Sequence, residues 1–171
     1  MIIGYANLIT LSRLAIIPFL IFTIEKDYYI VSGALVLFAI FTDWLDGIIA
    51  RRYNDVTQHG KLLDPAVDKI FTISIIAAFI EKGYINTYPL FLIVTREMLV
   101  TWIRSVMVSK GTVVSASYLG KVKTTLQMFS IFLLAINFWL PGVIILWLSI
   151  VVSYISGFEY LKMFYKEKAW T

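Results

Sequence analysis

The sequence predicts an all-α integral membrane protein, with six transmembrane helices and a polar cavity that faces the cytoplasm. Three observations predict it. Of the 171 residues, 60% are hydrophobic and 15% charged, more apolar surface than a soluble domain of this size can bury. Uncharged runs of bilayer-crossing length alternate with short charged or Gly/Pro-bearing breaks. The cations in those breaks fall mostly on one side of a six-span chain.

The spans follow in order. The first runs from about Ala6 to Ile24, interrupted by Arg13, and stops at Glu25-Lys26-Asp27. The second covers roughly Tyr28 to Arg51, followed by a polar turn from Arg52 to His59. The third runs from about Lys61 to Ile80 and ends at Glu81-Lys82-Gly83, and the fourth from about Thr87 to Ser109, before Lys110-Gly111. No charge occurs between Thr124 and Phe158. As one helix that run would measure about 50 Å, beyond the roughly 30 Å hydrocarbon core. Asn137 and Pro141-Gly142 supply the break, giving a fifth span near Ser117–Phe138 and a sixth near Pro141–Leu161. No repeat, low-complexity segment or second domain interrupts residues 1–171, so a single domain is expected.

Arg51, Arg52, Lys61, Lys110, Lys121, Lys123, Lys162, Lys166 and Lys168 share one side, and Lys26 and Lys82 the other. The positive-inside rule then puts both termini, and the turn after the second span, in the cytoplasm of a multi-pass cell-membrane protein. The aromatics (Phe 12, Trp 5, Tyr 10) are enough for interfacial belts. Without cysteine, disulfides, thiolate catalysis and thiol metal sites are excluded. The net charge of +4 suits cytoplasmic loops and gives no reason to expect nucleic acid as a partner. The N-terminus has neither a basic n-region nor a small-residue cleavage site, so no cleaved signal peptide is expected.

Four carboxylates stand out: Asp43, Asp46, Asp64 and Asp68. At 100° per residue, Asp43, Asp46, Gly47 and Ala50 occupy one sector of a helix, and Gly60, Asp64 and Asp68 one face of the next. A hairpin about the polar turn would converge the carboxylates on one small volume. Like charges so placed need cations to neutralise them, and oxygen ligands without His or Cys partners select Mg²⁺ or Mn²⁺ over Zn²⁺. The structural alternative has the aspartates capping helices or solvated in a loop, with Asp64 as the N-cap before Pro65. That alternative leaves Asp43 and Asp46 unexplained, because they follow an uncharged run from Tyr28 to Thr42. Gly47 and Ala50 suit either a flat base or diphosphate approaching the backbone, or close helix packing. His59, the single histidine, is expected to be solvated.

Asp43-x₂-Asp46-Gly47-x₂-Ala50-Arg51-x₈-Gly60-x₃-Asp64-x₃-Asp68 resembles the signature of the CDP-alcohol phosphotransferases, with all eight positions filled. The opening Asn7-Leu8-Ile9-Thr10-Leu11-Ser12-Arg13 with Pro18 is similar to the branch whose acceptor is glycerol 3-phosphate. So are Thr95 to Arg104 and Tyr118 to Met128, although Ala6 stands where that branch usually has proline. The resemblance implies displacement at phosphorus: an alcohol attacks the lipid-side phosphoryl group of CDP-diacylglycerol and CMP leaves. It implies two divalent cations, Mg²⁺ or Mn²⁺, on Asp43, Asp46, Asp64 and Asp68, with Asp68 as the base. It implies CDP-lipid contacts from Asn7, Thr10, Gly47, Ala50, Arg51 and Gly60, and a homodimer in the lipid bilayer.

A second charged group lies in the fourth span, where Arg96, Glu97 and Arg104 fit within about a 100° sector. Membrane cations need partners or a wet cavity. Arg96, Arg104, Lys121 and Lys123 therefore read as an anion pocket beside the metal site, with a Glu97–Arg104 pair within the helix, or pairing with the aspartates purely for stability, as the structural alternative. Lys121 and Lys123 are about 200° apart if both are helical, so they share a pocket only if the helix begins near them. Four cations favour a phosphorylated acceptor over serine or a lipid; inositol phosphate shares that charge, and it is the resemblance that implies glycerol 3-phosphate. A divalent-cation transporter is the alternative from another class, but it leaves Gly47, Arg51 and Gly60 without a role.

Overall fold

In the structure, a computed structural model, the backbone is described for residues 5–53, 58–111 and 117–166 and the side chains for residues 11–45, 65–111 and 117–166. Among the described residues there are six helices and no strand: α1 (Tyr5–Glu25), α2 (Tyr29–Tyr53), α3 (Gln58–Glu81), α4 (Tyr88–Ser109), α5 (Tyr118–Ala135) and α6 (Trp139–Lys166). Each coincides with one expected span, with ends displaced by a few residues.

The breaks are made by local backbone chemistry. Asp27, Gly83 and Asn137 have φ of 60°, 74° and 63°, the left-handed conformation that closes a helix and that Gly, Asn and Asp tolerate best. In each case the following amide bonds back five residues, from Tyr28 to Thr23 O, Tyr84 to Phe79 O and Phe138 to Leu133 O. Asn137 alone therefore makes the break between α5 and α6. Pro141, expected to share in it, lies in the first turn of α6, where its missing N–H has no helical acceptor to lose.

The chain forms two compact units, Met1–Ile85 with Ile131–Trp139, and Asn86–Ser130 with Leu140–Thr171. In the first, α1 packs against both α2 and α3. The inward face of α1 is Arg13, Ile17, Leu20 and Ile24, a four-three-four spacing that keeps all of them on one side of the helix. Val36 and Ala39 of α2 and Val67, Phe71, Ile75 and Phe79 of α3, the helices that α1 packs against, are buried as well. Ser32 Oγ donates to Thr23 Oγ1 at 2.9 Å and adds a polar tie between α2 and α1. At the far end of α1, Lys82 Nζ donates to Asp27 Oδ2 at 2.7 Å, and that bond is the main cause holding the Asp27 carboxyl below its usual range. Trp139 Nε1 donates to Tyr84 O at 2.6 Å in the same unit.

In the second unit, buried Val100, Ile103 and Met107 of α4 pack with Tyr160 and Phe164 of α6. Ser130 Oγ donates to Gly142 O at 2.7 Å, joining α5 to the start of α6. Large apolar side chains also point outward on the helices, among them Phe19, Phe41, Phe91, Trp102, Leu148 and Ile155. Among the described residues, α6 is the one helix long and apolar enough to cross a membrane by length and composition. At 28 residues it measures about 42 Å.

Candidate active site

Arg13 reaches inward because it lies on the same face of α1 as Ile17, Leu20 and Ile24. Its side chain is 3% exposed, and its Nη1 donates to Asp43 Oδ1 at 2.8 Å and to Asp68 Oδ1 at 2.5 Å. One nitrogen from α1 thus brings together a carboxylate from α2 and one from α3. The two carboxylates remain open, at 51% and 36% side-chain exposure, so solutes can reach them while the cation beside them is covered.

The convergence expected of the aspartates therefore holds for Asp43 and Asp68. Asp46 lies one turn further along α2, and Asp64 one turn earlier in α3, by backbone position. The side chains of Asp46 and Asp64, like those of Asn7, Thr10, Gly47, Ala50, Arg51, His59 and Gly60, lie outside the described residues. The capping alternative for Asp64 does not fit the backbone, since α3 begins at Gln58 and Pro65 sits inside it. Among the described residues, no three His, Cys, Asp or Glu side chains form a metal-holding group. The donor type fits a hard divalent ion, since Asp43 and Asp68 offer carboxylate oxygens from two helices and the chain has no cysteine to compete, while the point at which those oxygens meet is held by Arg13 Nη1.

The second charged group lies in the other unit and is built differently. Arg96 is 6% exposed and commits all of its nitrogens: Nε to Ser153 O at 2.9 Å, Nη1 to Glu97 Oε1 at 2.9 Å and Nη2 to Ser156 Oγ at 3.3 Å. Lys123, 9% exposed, donates to the same Glu97 Oε1 at 2.5 Å. Arg104 and Lys121 are exposed. Because α5 is already helical from Tyr118, Lys121 and Lys123 point to different sides of it. The helix start is fixed by Ser117, whose Oγ accepts from Gly120 N at 3.1 Å and whose backbone N–H donates to Tyr160 OH at 2.9 Å.

Sequence reasoning passed over Arg13 as a site residue and offered Glu97 only as an ion-pair partner of Arg104 within the helix. A signal existed for Arg13: the only charge within an otherwise apolar span, on its buried face, must find an anionic partner. For Glu97, the nearby excess of cations was the corresponding signal.

A model of the CDP-alcohol phosphatidyltransferase family matches residues 4–155, and the chain belongs to that family. It is thereby a transferase of phosphate-containing groups. Its similarity to curated relatives runs nearly end to end. It is 37% identical over 167 residues to the CDP-diacylglycerol–glycerol-3-phosphate 3-phosphatidyltransferase of Rickettsia bellii, covering 91% of this chain and 92% of the relative. The proteins of the same name from Pectobacterium atrosepticum and Bacillus subtilis are 33% and 30% identical, each across about nine-tenths of both chains.

Proposed function

We propose that the protein transfers the phosphatidyl group of CDP-diacylglycerol to sn-glycerol 3-phosphate, giving phosphatidylglycerophosphate and CMP. The observation that carries this reading is the meeting of Asp43 and Asp68 at Arg13 in a chain that fills every position of the family signature. Relatives named for that reaction, matched over nine-tenths of their length, support the acceptor.

In the reaction the acceptor's hydroxyl oxygen forms a bond to the lipid-side phosphorus, and the bond from that phosphorus to the CMP oxygen breaks. Asp68 accepts the hydroxyl proton; its partial exposure leaves an oxygen accessible to a water-soluble acceptor. Asp43, Asp46, Asp64 and Asp68 would hold two Mg²⁺ or Mn²⁺ ions, which when bound neutralise the diphosphate and the departing oxygen. Arg13 fixes the separation of Asp43 and Asp68 from the buried side. Asn7, Thr10, Gly47, Ala50, Arg51 and Gly60 take the CDP-lipid. Arg104 and Lys121 meet the acceptor phosphate, which carries nearly two negative charges at neutral pH. Of the other two cations proposed for that task, Lys123 and Arg96 act through Glu97.

The outward apolar side chains support a multi-pass arrangement in the lipid bilayer. Loop charge supports a cytoplasmic site and cytoplasmic termini. The test is direct: purified protein with CDP-diacylglycerol, Mg²⁺ and labelled glycerol 3-phosphate should move label into the lipid phase with release of CMP. EDTA should stop it. No lipid-phase label in the presence of Mg²⁺ or Mn²⁺ would overturn the proposal.

A further inference from the structure

The Glu97 carboxylate joins two buried cations from two helices, and neither partner is explained by the chemistry at Asp68. Arg96, on α4, is anchored to α6 through Ser153 O and Ser156 Oγ, and so holds Glu97 in a fixed place. Glu97 in turn draws Lys123 of α5 inward to 2.5 Å. Lys121, half a turn away, is left exposed. The opening of α5 is held from a second direction, because Ser117 Oγ lies 2.8 Å from Ser156 Oγ on α6. The arrangement sets the rotation of α5 about its own axis at the turn that carries both lysines.

We infer that Glu97 is a positioning residue for the acceptor: by holding Lys123 inward against Arg96, it turns the start of α5 so that Lys121 is presented to the acceptor phosphate. The inference rests on the proposed glycerol 3-phosphate reading and adds to it a residue that never touches substrate. Charge alone predicts the opposite effect. Removing an anion near a phosphate site makes the site more positive and tightens phosphate binding. Positioning wins here because a buried ammonium that loses the carboxylate it pairs with is disfavoured where it stands, so Lys123 shifts and α5 with it. The sign of the change therefore separates the two.

The test uses E97Q, K123Q and the double variant in purified full-length protein, with glycerol 3-phosphate and CDP-diacylglycerol varied in turn. The apparent KM for glycerol 3-phosphate should rise roughly 10-fold in each single variant, the scale of one lost charge-assisted contact. The KM for CDP-diacylglycerol should stay unchanged, the double variant should be no worse than either single, and E97D should recover part of the loss. An unchanged or lower KM for glycerol 3-phosphate in E97Q overturns the inference. So do additive losses in the double variant, which would make Lys123 a direct phosphate ligand. Equal damage to both KM values, or failure of both single variants to fold, would make Glu97 a structural tie and nothing more. Failure of wild type to use glycerol 3-phosphate is a separate result, and it would remove the acceptor reading itself.

Discussion

Arg13 Nη1 donates to Asp68 Oδ1 at 2.5 Å from a side chain that is 3% exposed. The same nitrogen holds Asp43, so two carboxylates from different helices share one buried cation. Lipid tails are as apolar as the helix faces they cover, so apolar packing alone gives weak preference for one helix arrangement in a membrane. A polar tie of this kind fixes which residues face each other.

Arg13→Gln should therefore lower stability by about 1.5–3 kcal/mol, the scale of hydrogen bonds to charged groups. The open side of the carboxylates keeps the loss from being larger. In detergent this should appear as a fall of several degrees in the melting midpoint, with turnover falling as Asp43 and Asp68 lose their spacing. Arg13→Lys should recover part of both losses, since a lysine keeps the charge but its ammonium sits one bond short of the position that Nη1 occupies. An unchanged melt in Arg13→Gln would remove the tie from the account.

The aspartates should separate by role. Asp43→Asn, Asp46→Asn and Asp64→Asn should each abolish turnover together with divalent-ion binding, followed by the Mn²⁺ electron paramagnetic resonance signal. Asp68→Asn should abolish turnover while CDP-diacylglycerol binding is largely kept, because its distinct task is to accept a proton. Near-normal turnover in Asp68→Asn would assign the base elsewhere.

Arg104→Ala and Lys121→Ala should raise the apparent KM for glycerol 3-phosphate about 10- to 150-fold, from the loss of roughly 1.5–3 kcal/mol per charged contact. The KM for CDP-diacylglycerol should change little. Arg104→Lys should recover only part. Normal glycerol 3-phosphate kinetics in both alanine variants would move the acceptor phosphate to other residues.

Topology is open to a labelling experiment, because the chain has no native cysteine. Lys26→Cys and Lys110→Cys place single thiols at exposed positions on opposite predicted sides. In intact cells a membrane-impermeant thiol reagent should label Lys26→Cys and spare Lys110→Cys until the membrane is opened. Labelling of Lys110→Cys from outside would reverse the orientation.

The helices were legible in the sequence because apolar runs and their breaks are local signals. Glu25-Lys26-Asp27 and Glu81-Lys82-Gly83 stop α1 and α3 where charge and left-handed conformers say they should. The division of labour at the α5–α6 break was less legible, since Asn137 and Pro141 both signal a stop and only backbone geometry shows that Asn137 makes it. In the site, the Asp43 and Asp68 pairing followed from spacing. The Arg13 contacts did not, because they join residues 30 and 55 positions apart through the packing of α1 on its two neighbours. The same holds for Glu97, whose partner Lys123 lies 26 positions on. A sequence reports an unpaired charge in an apolar span; only the fold says which opposite charge arrives beside it.

Transfer from a CDP-activated lipid to a phosphorylated acceptor is best tested by acceptor competition. Purified protein would be given CDP-diacylglycerol and Mg²⁺ with equimolar glycerol 3-phosphate, serine, inositol and inositol phosphate, and the lipid products resolved by mass spectrometry. Phosphatidylglycerophosphate should be the dominant product, formed in step with CMP and abolished in Asp68→Asn. A dominant product from serine, inositol or inositol phosphate would contradict the acceptor, and CMP released without any new phospholipid would contradict the transfer itself.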